Sequence, residues 1–233
     1  MRNAKYMLMK PLQKPDAILF DWDGTLIDSL PALHSYYNHV LGAFSMPFIS
    51  REEARARIRL SARDVFPKLF GDQWQNAFDL YYDCVAKTHL DHLVAMDGGG
   101  DFIARLAALE IPMGVVSNKR HVFLLKEIAH LGWDKYLVAN VGAGEAAKDK
   151  PAPDPLHMAM DQLHISPDVH EIWYVGDTET DMMAAVAAGC QPIFIEHGLG
   201  TRDECYQHGL NPYVFKGFSD LLAEVEKFSR DSQ

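Results

Sequence analysis

The sequence predicts an α/β fold in which a parallel sheet is interrupted, after its first strand, by an all-helical block. Three observations carry that expectation. Ala17-Ile18-Leu19-Phe20 is an unbroken apolar run, the pattern of a short strand buried on both faces under helices. From Pro31 to about His92 the apolar spacing is helical throughout. From Asp101 onward helical and strand patterns alternate, as βαβ units of parallel sheet do.

Taken in order, the first strand ends at Asp21, and Gly24 follows where the chain has to turn sharply. Asp28 or Ser29 can cap the next helix, with Pro31 at its first position. Ser50-x-x-Glu53 has the form of a capping box, Ser61-x-x-Asp64 is a weaker version, and Asp72 can cap Gln73 to Leu90. Trp74, Phe78, Tyr81, Tyr82 and Val85 form one apolar stripe on that last segment, which reads as core. Asp97-Gly98-Gly99-Gly100 reads as a flexible joint.

Beyond the joint, helices are expected at Phe102 to Leu109, His121 to Leu131, Pro155 to Leu163, Asp181 to Ala188 and Leu221 to Phe228. Strands are expected at Met113 to Val116, Tyr136 to Val141, Ile172 to Val175 and Pro192 to Ile195, and Gly189 closes a helix in the C-cap region. The layout is a Rossmann-like parallel-sheet core, residues 1–28 and 97–233, with an inserted all-helical cap, residues 29–96.

Bulk properties narrow the function. The 233 residues suffice for a full core, and 48% hydrophobic with 23% charged residues is the balance of a soluble globular chain. A net charge of −10 argues against a surface for nucleic acid or anionic membrane, so any phosphate site must bring its own local cations. Cys84, Cys190 and Cys205 form neither a CxxC pair nor a disulfide framework, which fits a reducing cytoplasm. No stretch reaches membrane-spanning length, and Met1 to Asp16, without the apolar core of a signal peptide, reads as a loosely held tail.

The chemistry-bearing residues fall at strand ends. Asp21-Trp22-Asp23-Gly24-Thr25 puts two carboxylates at the carboxyl end of a buried strand, where open α/β sheets bind ligands. Asp-x-Asp there can approach one metal or one phosphoryl group, although a cap plus a turn residue is the plainer use of such a pair. Ser117 offers a hydroxyl, and a neighbouring N–H, to a phosphoryl oxygen; it could equally be an ordinary turn residue. Lys150, in a loop stiffened by Pro151, Pro153 and Pro155, is a compact cation for phosphate or a solvated surface lysine.

Asp177 and Asp181 stand four apart across a strand end and the first helical turn, and repel unless a cation lies between them. Asp21, Asp23 and Asp177 together supply the hard oxygens that suit Mg²⁺. Zinc does not fit, because the cysteines lie far off, and His89-x-x-His92 reads as a helix surface. Arg55, Arg57, Arg59 and Arg63 can meet an anionic substrate tail or form a solvated helix face.

Asp21 to Thr25, then Ser117, then Lys150-Pro151-Ala152-Pro153-Asp154, then Gly176-Asp177 to Asp181 resemble the four ordered motifs of the haloacid dehalogenase-like hydrolases. The resemblance is to the phosphoglycolate-phosphatase-like branch with a helical cap, and it covers nearly all of the chain after Asp16. It implies that Asp21 attacks phosphorus to form an aspartyl-phosphate, while Asp23 protonates the leaving oxygen and then activates water. Thr25, Ser117, Asn118 and Lys150 would hold the phosphoryl group. Asp21, the Asp23 carbonyl and Asp177 would bind Mg²⁺, with Asp181 supporting the metal or Lys150.

Elementary chemistry points the same way: a carboxylate attacks a dianionic phosphate only if surrounding cations and N–H groups neutralise charge. Trp22 stands where relatives carry a smaller aliphatic residue and is expected to pack behind the loop. Glu196-His197-Gly198-Leu199-Gly200 also differs from what phosphoglycolate phosphatases proper would show. The expected activity is hydrolysis of a small phosphorylated metabolite, phosphoglycolate-like or a sugar phosphate. The alternatives are a sugar-phosphate mutase, which hands the phosphoryl group to a sugar, and a binding module that kept the fold and lost turnover. Oligomeric state is not legible in these residues.

Overall fold

The computed structural model describes residues 11–58 and 60–230. Its centre is a six-stranded, all-parallel sheet in the order β3-β2-β1-β4-β5-β6. The strands are β1 (Ala17–Phe20), β2 (Met113–Arg120), β3 (Leu137–Ala143), β4 (Ile172–Gly176), β5 (Gln191–Ile195) and β6 (Tyr213–Phe215). From β1 the chain builds outward to β2 and β3 on one side and to β4, β5 and β6 on the other. The strand order therefore reverses between β1 and β4, and such a switch point opens a crevice at the carboxyl ends of its strands.

Helices cover both faces, which is why β1 and β4 are apolar along their whole length. Phe20 and Ile18 pack with Phe102 and Leu106 of α5 (Gly99–Ala108), Ile128 of α6 (His121–His130) and Leu221 of α10 (Phe218–Arg230). Leu19 and Tyr174 pack on the opposite face with Leu156 and Met160 of α7 (Asp154–Leu163) and Ala184 of α8 (Glu179–Ala187).

The helical insert follows β1 directly. It comprises α1 (Leu30–Ala43), α2 (Arg51–Ile58), α3 (Ala62–Phe70), a short 3-10 turn at Gly71–Gln73 and α4 (Trp74–Thr88). Tyr37, Phe66, Ala77, Tyr81 and Val85 are buried together, with Trp74, Phe78 and Tyr82 partly buried against them, and Phe123 of α6 joins the cluster from the sheet domain. The aromatic rings meet edge to face, as Tyr37 and Phe66 do at 5.7 Å between centroids. Among the described residues no helix is long and apolar enough to cross a membrane.

Several local expectations change. The capping box at Ser50 and Glu53 forms, with both reciprocal bonds in place at 2.7 and 3.2 Å. Ser29 precedes α1 but makes no cap bond, and its Oγ is buried without a hydrogen-bond partner. Asp72 lies inside the 3-10 turn, so it does not cap α4, whose N-cap is Gln73. Gly98, at φ +73°, is the N-cap of α5, and Gly99 and Gly100 pack under Phe218 and Trp133. That segment is a packed helix start rather than a free joint.

Two elements went unpredicted: β6, only three residues long, and α9 (Arg202–Gln207), whose Thr201/Glu204 capping box was the available signal. The tail expected from Met1 lies outside the described residues up to residue 10.

Candidate active site

The site grows out of the end of β1. The Asp21 N–H donates to the Val175 carbonyl at 2.8 Å, so Asp21 continues the ladder and is fixed by backbone before any side chain acts. The chain then curls back, with the Leu26 and Ile27 N–H groups donating to the Trp22 carbonyl at 3.0 and 2.9 Å. Gly24 makes that curl at φ +93°, and a Cβ there would collide with the Asp177 carboxylate. Only glycine meets both demands.

Lys150 is the centre of charge. It is 2% exposed, and its ammonium donates to Asp21 Oδ1 at 2.6 Å, Asp181 Oδ1 at 2.7 Å and the Tyr174 hydroxyl at 2.7 Å. Those three bonds use all its protons. Burial works against the ammonium, but Asp181 and Asp21 outweigh it and hold Lys150 firmly protonated. Asn118 clasps the lysine's backbone from both sides: its amide donates to the Lys150 carbonyl at 3.1 Å, and its Oδ1 accepts the Lys150 N–H at 3.0 Å.

Asp21, Asp177 and Asp181 are all buried, and one oxygen from each lies within 4.8 Å of the others. Burial pushes the Asp21 carboxyl well above the ordinary carboxylate range, and Asp181 and Asp177 add to the push while Lys150 opposes it. Burial, followed by Asp181, lifts Asp177 to about 7, even though the Leu199 N–H and the Thr25 hydroxyl bond its two oxygens. Asp181 is fixed by the capping box of α8, taking the Thr178 N–H at 3.0 Å and its hydroxyl at 2.6 Å.

Three carboxylates against one ammonium leave a surplus of buried negative charge. A divalent cation with a preference for hard oxygens fits that donor set.

A cavity of about 90 Å³ lies between this floor and the insert. Asp21, Asp23, Ser117 and Lys150 line it from the sheet, and Tyr36 and Tyr81 from the insert. Ser117 is buried at β2, where its Oγ accepts the Lys119 N–H at 3.1 Å. Thr25 is fully buried away from the cavity, its hydroxyl donating to Asp177 Oδ1 at 2.7 Å. Asp23 reaches the cavity, but its carboxylate stands outside the acidic cluster, bonded to Lys119 Nζ at 2.8 Å.

Trp22 packs behind the loop as expected, fully buried with its ring edge-on to Trp133. Sequence reasoning passed over Lys119, Glu127 and Tyr174. Lys119 directly follows the two residues it had singled out. Glu127 shares the buried face of α6 with Phe123, Leu124 and Ile128, and a carboxylate on an apolar face was a readable signal.

His89 corrects an expectation. It is buried rather than on a helix surface, with its Nδ1 2.9 Å from Glu127 Oε1, while His92 is exposed. Two arginines of the insert reach the sheet domain: Arg55 donates to the Gly198 carbonyl at 3.3 Å, and Arg63 pairs with Asp149 at 2.6 Å. Arg59 lies outside the described residues.

Comparison with known proteins gives the same picture. The family model described as haloacid dehalogenase-like hydrolase matches residues 18–195. A phosphoglycolate phosphatase of Photorhabdus laumondii is 28% identical over 236 residues, covering 94% of this chain and 96% of that protein. One from Salmonella typhi is 27% identical, covering 97% and 98%.

Among solved structures, a haloacid dehalogenase-like family hydrolase from Streptococcus pneumoniae superposes with a TM-score of 0.79 at 21% identity, covering 89% of this chain and 97% of that one. A hydrolase of the same superfamily from Ehrlichia chaffeensis does so at 0.64 and 24%, covering 94% and 99%. The family match runs from the first strand through the insert to β5, and with it the chain belongs to the haloacid dehalogenase-like hydrolases, an enzyme family.

Proposed function

We propose that the protein is a Mg²⁺-dependent phosphomonoesterase acting on a small phosphorylated metabolite through an aspartyl-phosphate. The observation that carries this reading is the meeting of Asp21 and Lys150, 2.6 Å apart, beside the buried Asp177 and Asp181 at the floor of a cavity. The relatives named phosphoglycolate phosphatases support a small substrate.

In the first step an Asp21 oxygen attacks phosphorus, the ester P–O bond breaks, and Asp23 gives a proton to the leaving oxygen. In the second, water attacks the phosphorus of the aspartyl-phosphate, and Asp23 takes its proton. The acyl–phosphate bond then breaks, releasing inorganic phosphate and restoring Asp21. Ser117 holds the transferring group, Lys150 joins it by turning the proton it gives Asp21 to a phosphoryl oxygen, and Asn118 holds the Lys150 loop. Asp21, the Asp23 carbonyl and Asp177 would hold Mg²⁺, supported by Asp181, and the ion would offset the charge of the phosphoryl oxygens.

Residues 29–96 act as a cap over a core of 1–28 and 97–233, excluding water during the transfer. Three free thiols are in keeping with a cytoplasmic site of action.

The test is phosphate release from a panel of phosphorylated metabolites, with Mg²⁺ and with chelator. Release that needs Mg²⁺ supports the reading. Isomerised sugar phosphate formed with a bisphosphate primer, in place of free phosphate, would point to a mutase. No release from any substrate would leave a binding module.

A further inference from the structure

Glu127 is 1% exposed and belongs to none of the roles above, yet donors from three separate segments surround its carboxylate. Oε2 accepts the Trp22 indole N–H at 2.7 Å and the Lys119 ammonium at 2.6 Å, and Oε1 lies 2.9 Å from His89 Nδ1. Trp22 sits between Asp21 and Asp23, Lys119 is two residues past Ser117, and His89 follows the last helix of the insert. The same Lys119 ammonium donates to Asp23 Oδ1 at 2.8 Å.

A glutamate among the apolar residues of α6 is costly to bury unless it is paired and hydrogen-bonded. Lys119 is held in its charged form by Asp23 and Glu127 against the effect of burial.

We propose that Glu127 is a positioning residue for Asp23, pinning Lys119 so that its ammonium claims Asp23 Oδ1 and leaves the other carboxylate oxygen to face the leaving group. The inference rests on the phosphatase reading, in which Asp23 passes a proton to the leaving oxygen. A carboxylic acid whose one oxygen accepts from a fixed ammonium carries its proton on the other. Glu127 fixes the ammonium, the Trp22 bond fixes the loop on which Asp23 stands, and the His89 bond ties both to the insert. Buried networks of this kind hold the reacting groups in one arrangement.

Leaving-group dependence separates this role from plain support of the fold. p-Nitrophenolate departs without a proton, whereas an alkoxide such as that of glycerol phosphate needs one. In kcat/KM, which reports steps through cleavage of the ester bond, Glu127→Gln is expected to lower turnover of glycerol phosphate by about 30-fold or more. p-Nitrophenyl phosphate should stay within about threefold. Lys119→Met should give the same split, and the double variant should be no worse than either single one, since the two act in series.

Parallel losses on both substrates in a folded variant, no loss on either, or additive losses would overturn the proposal. If Glu127→Gln fails to fold, the double variant, which removes a carboxylate and an ammonium together, gives the same ratio; if it too fails to fold, Glu127 is structural and the proposal falls. Wild-type protein silent toward both substrates with Mg²⁺ would instead sink the phosphatase reading itself.

Discussion

Lys150 Nζ stands 2.6 Å from Asp21 Oδ1 across 129 residues of sequence, and both side chains are almost wholly buried. The lysine is shared: Asp181 takes a second of its protons at 2.7 Å. One ammonium thus holds together two carboxylates that burial and mutual repulsion would otherwise drive apart or neutralise. In the proposed reaction that arrangement aims Asp21 before the substrate arrives, with Lys150 opposing the burial that raises its carboxyl above the ordinary range.

Asp21→Asn removes the nucleophile while leaving its shape. Turnover of any phosphate ester is expected to fall by at least about a thousandfold. Because burial, with Asp181 and Asp177, disfavours the Asp21 carboxylate more than Lys150 favours it, the variant should melt at or above the wild-type temperature. Phosphate release and a thermal melt check both statements. Normal turnover in a folded Asp21→Asn protein would end the mechanism.

Lys150→Met leaves Asp21 and Asp181 facing each other without their cation. Removing one partner of a buried ion pair costs about 3 kcal/mol or more, in contrast to surface pairs such as Lys227–Glu224. Denaturant unfolding without added metal should show that loss. A change below about 1 kcal/mol would mean that the two aspartates are already neutral in the folded protein.

Much of this site is legible in the sequence, because its residues lie at strand ends and strand ends are marked by apolar runs. Asp21, Ser117 and Asp177 each follow such a run, and the sheet then brings them to one edge. The rest depended on what the fold places nearby. Asp72 has the right chemistry for a cap, but the preceding glycine starts a 3-10 turn that absorbs it. The resemblance implies Thr25 as a phosphate ligand, and the tight turn at Gly24 directs its hydroxyl onto Asp177. His89 looked like half of a surface pair because its partner, Glu127, lies on another segment, 38 residues away.

Asp177→Asn tests where the metal sits. In wild-type protein, Mg²⁺ at a hundredfold excess over its Kd should stabilise the fold by about 2.7 kcal/mol. The variant keeps the buried contacts to Thr25 and Leu199 only in part, and it lacks a charged oxygen in the cluster. Its melting temperature should not respond to Mg²⁺. An undiminished shift in Asp177→Asn would place the ion elsewhere.

His197 gives a prediction in pH. Its Nε2–H donates to the Thr25 carbonyl at 3.0 Å, and its ring lies 4.8 Å from that of Phe218. Burial disfavours the imidazolium more than the Thr25 carbonyl favours it, so the folded value lies below the ordinary 6.5. Between the two values the unfolded chain binds more protons than the folded one. The neutral ring therefore contributes stability above 6.5 that is lost as pH falls through the lower folded value.

His197→Gln keeps a donor for Thr25 and removes the titration. The drop in melting temperature from pH 7.5 to pH 5 should thus be smaller in the variant than in wild type. Equal drops would mean that His197 titrates alike in both states, and that its bond to Thr25, one residue from the turn glycine, does not depend on a neutral ring.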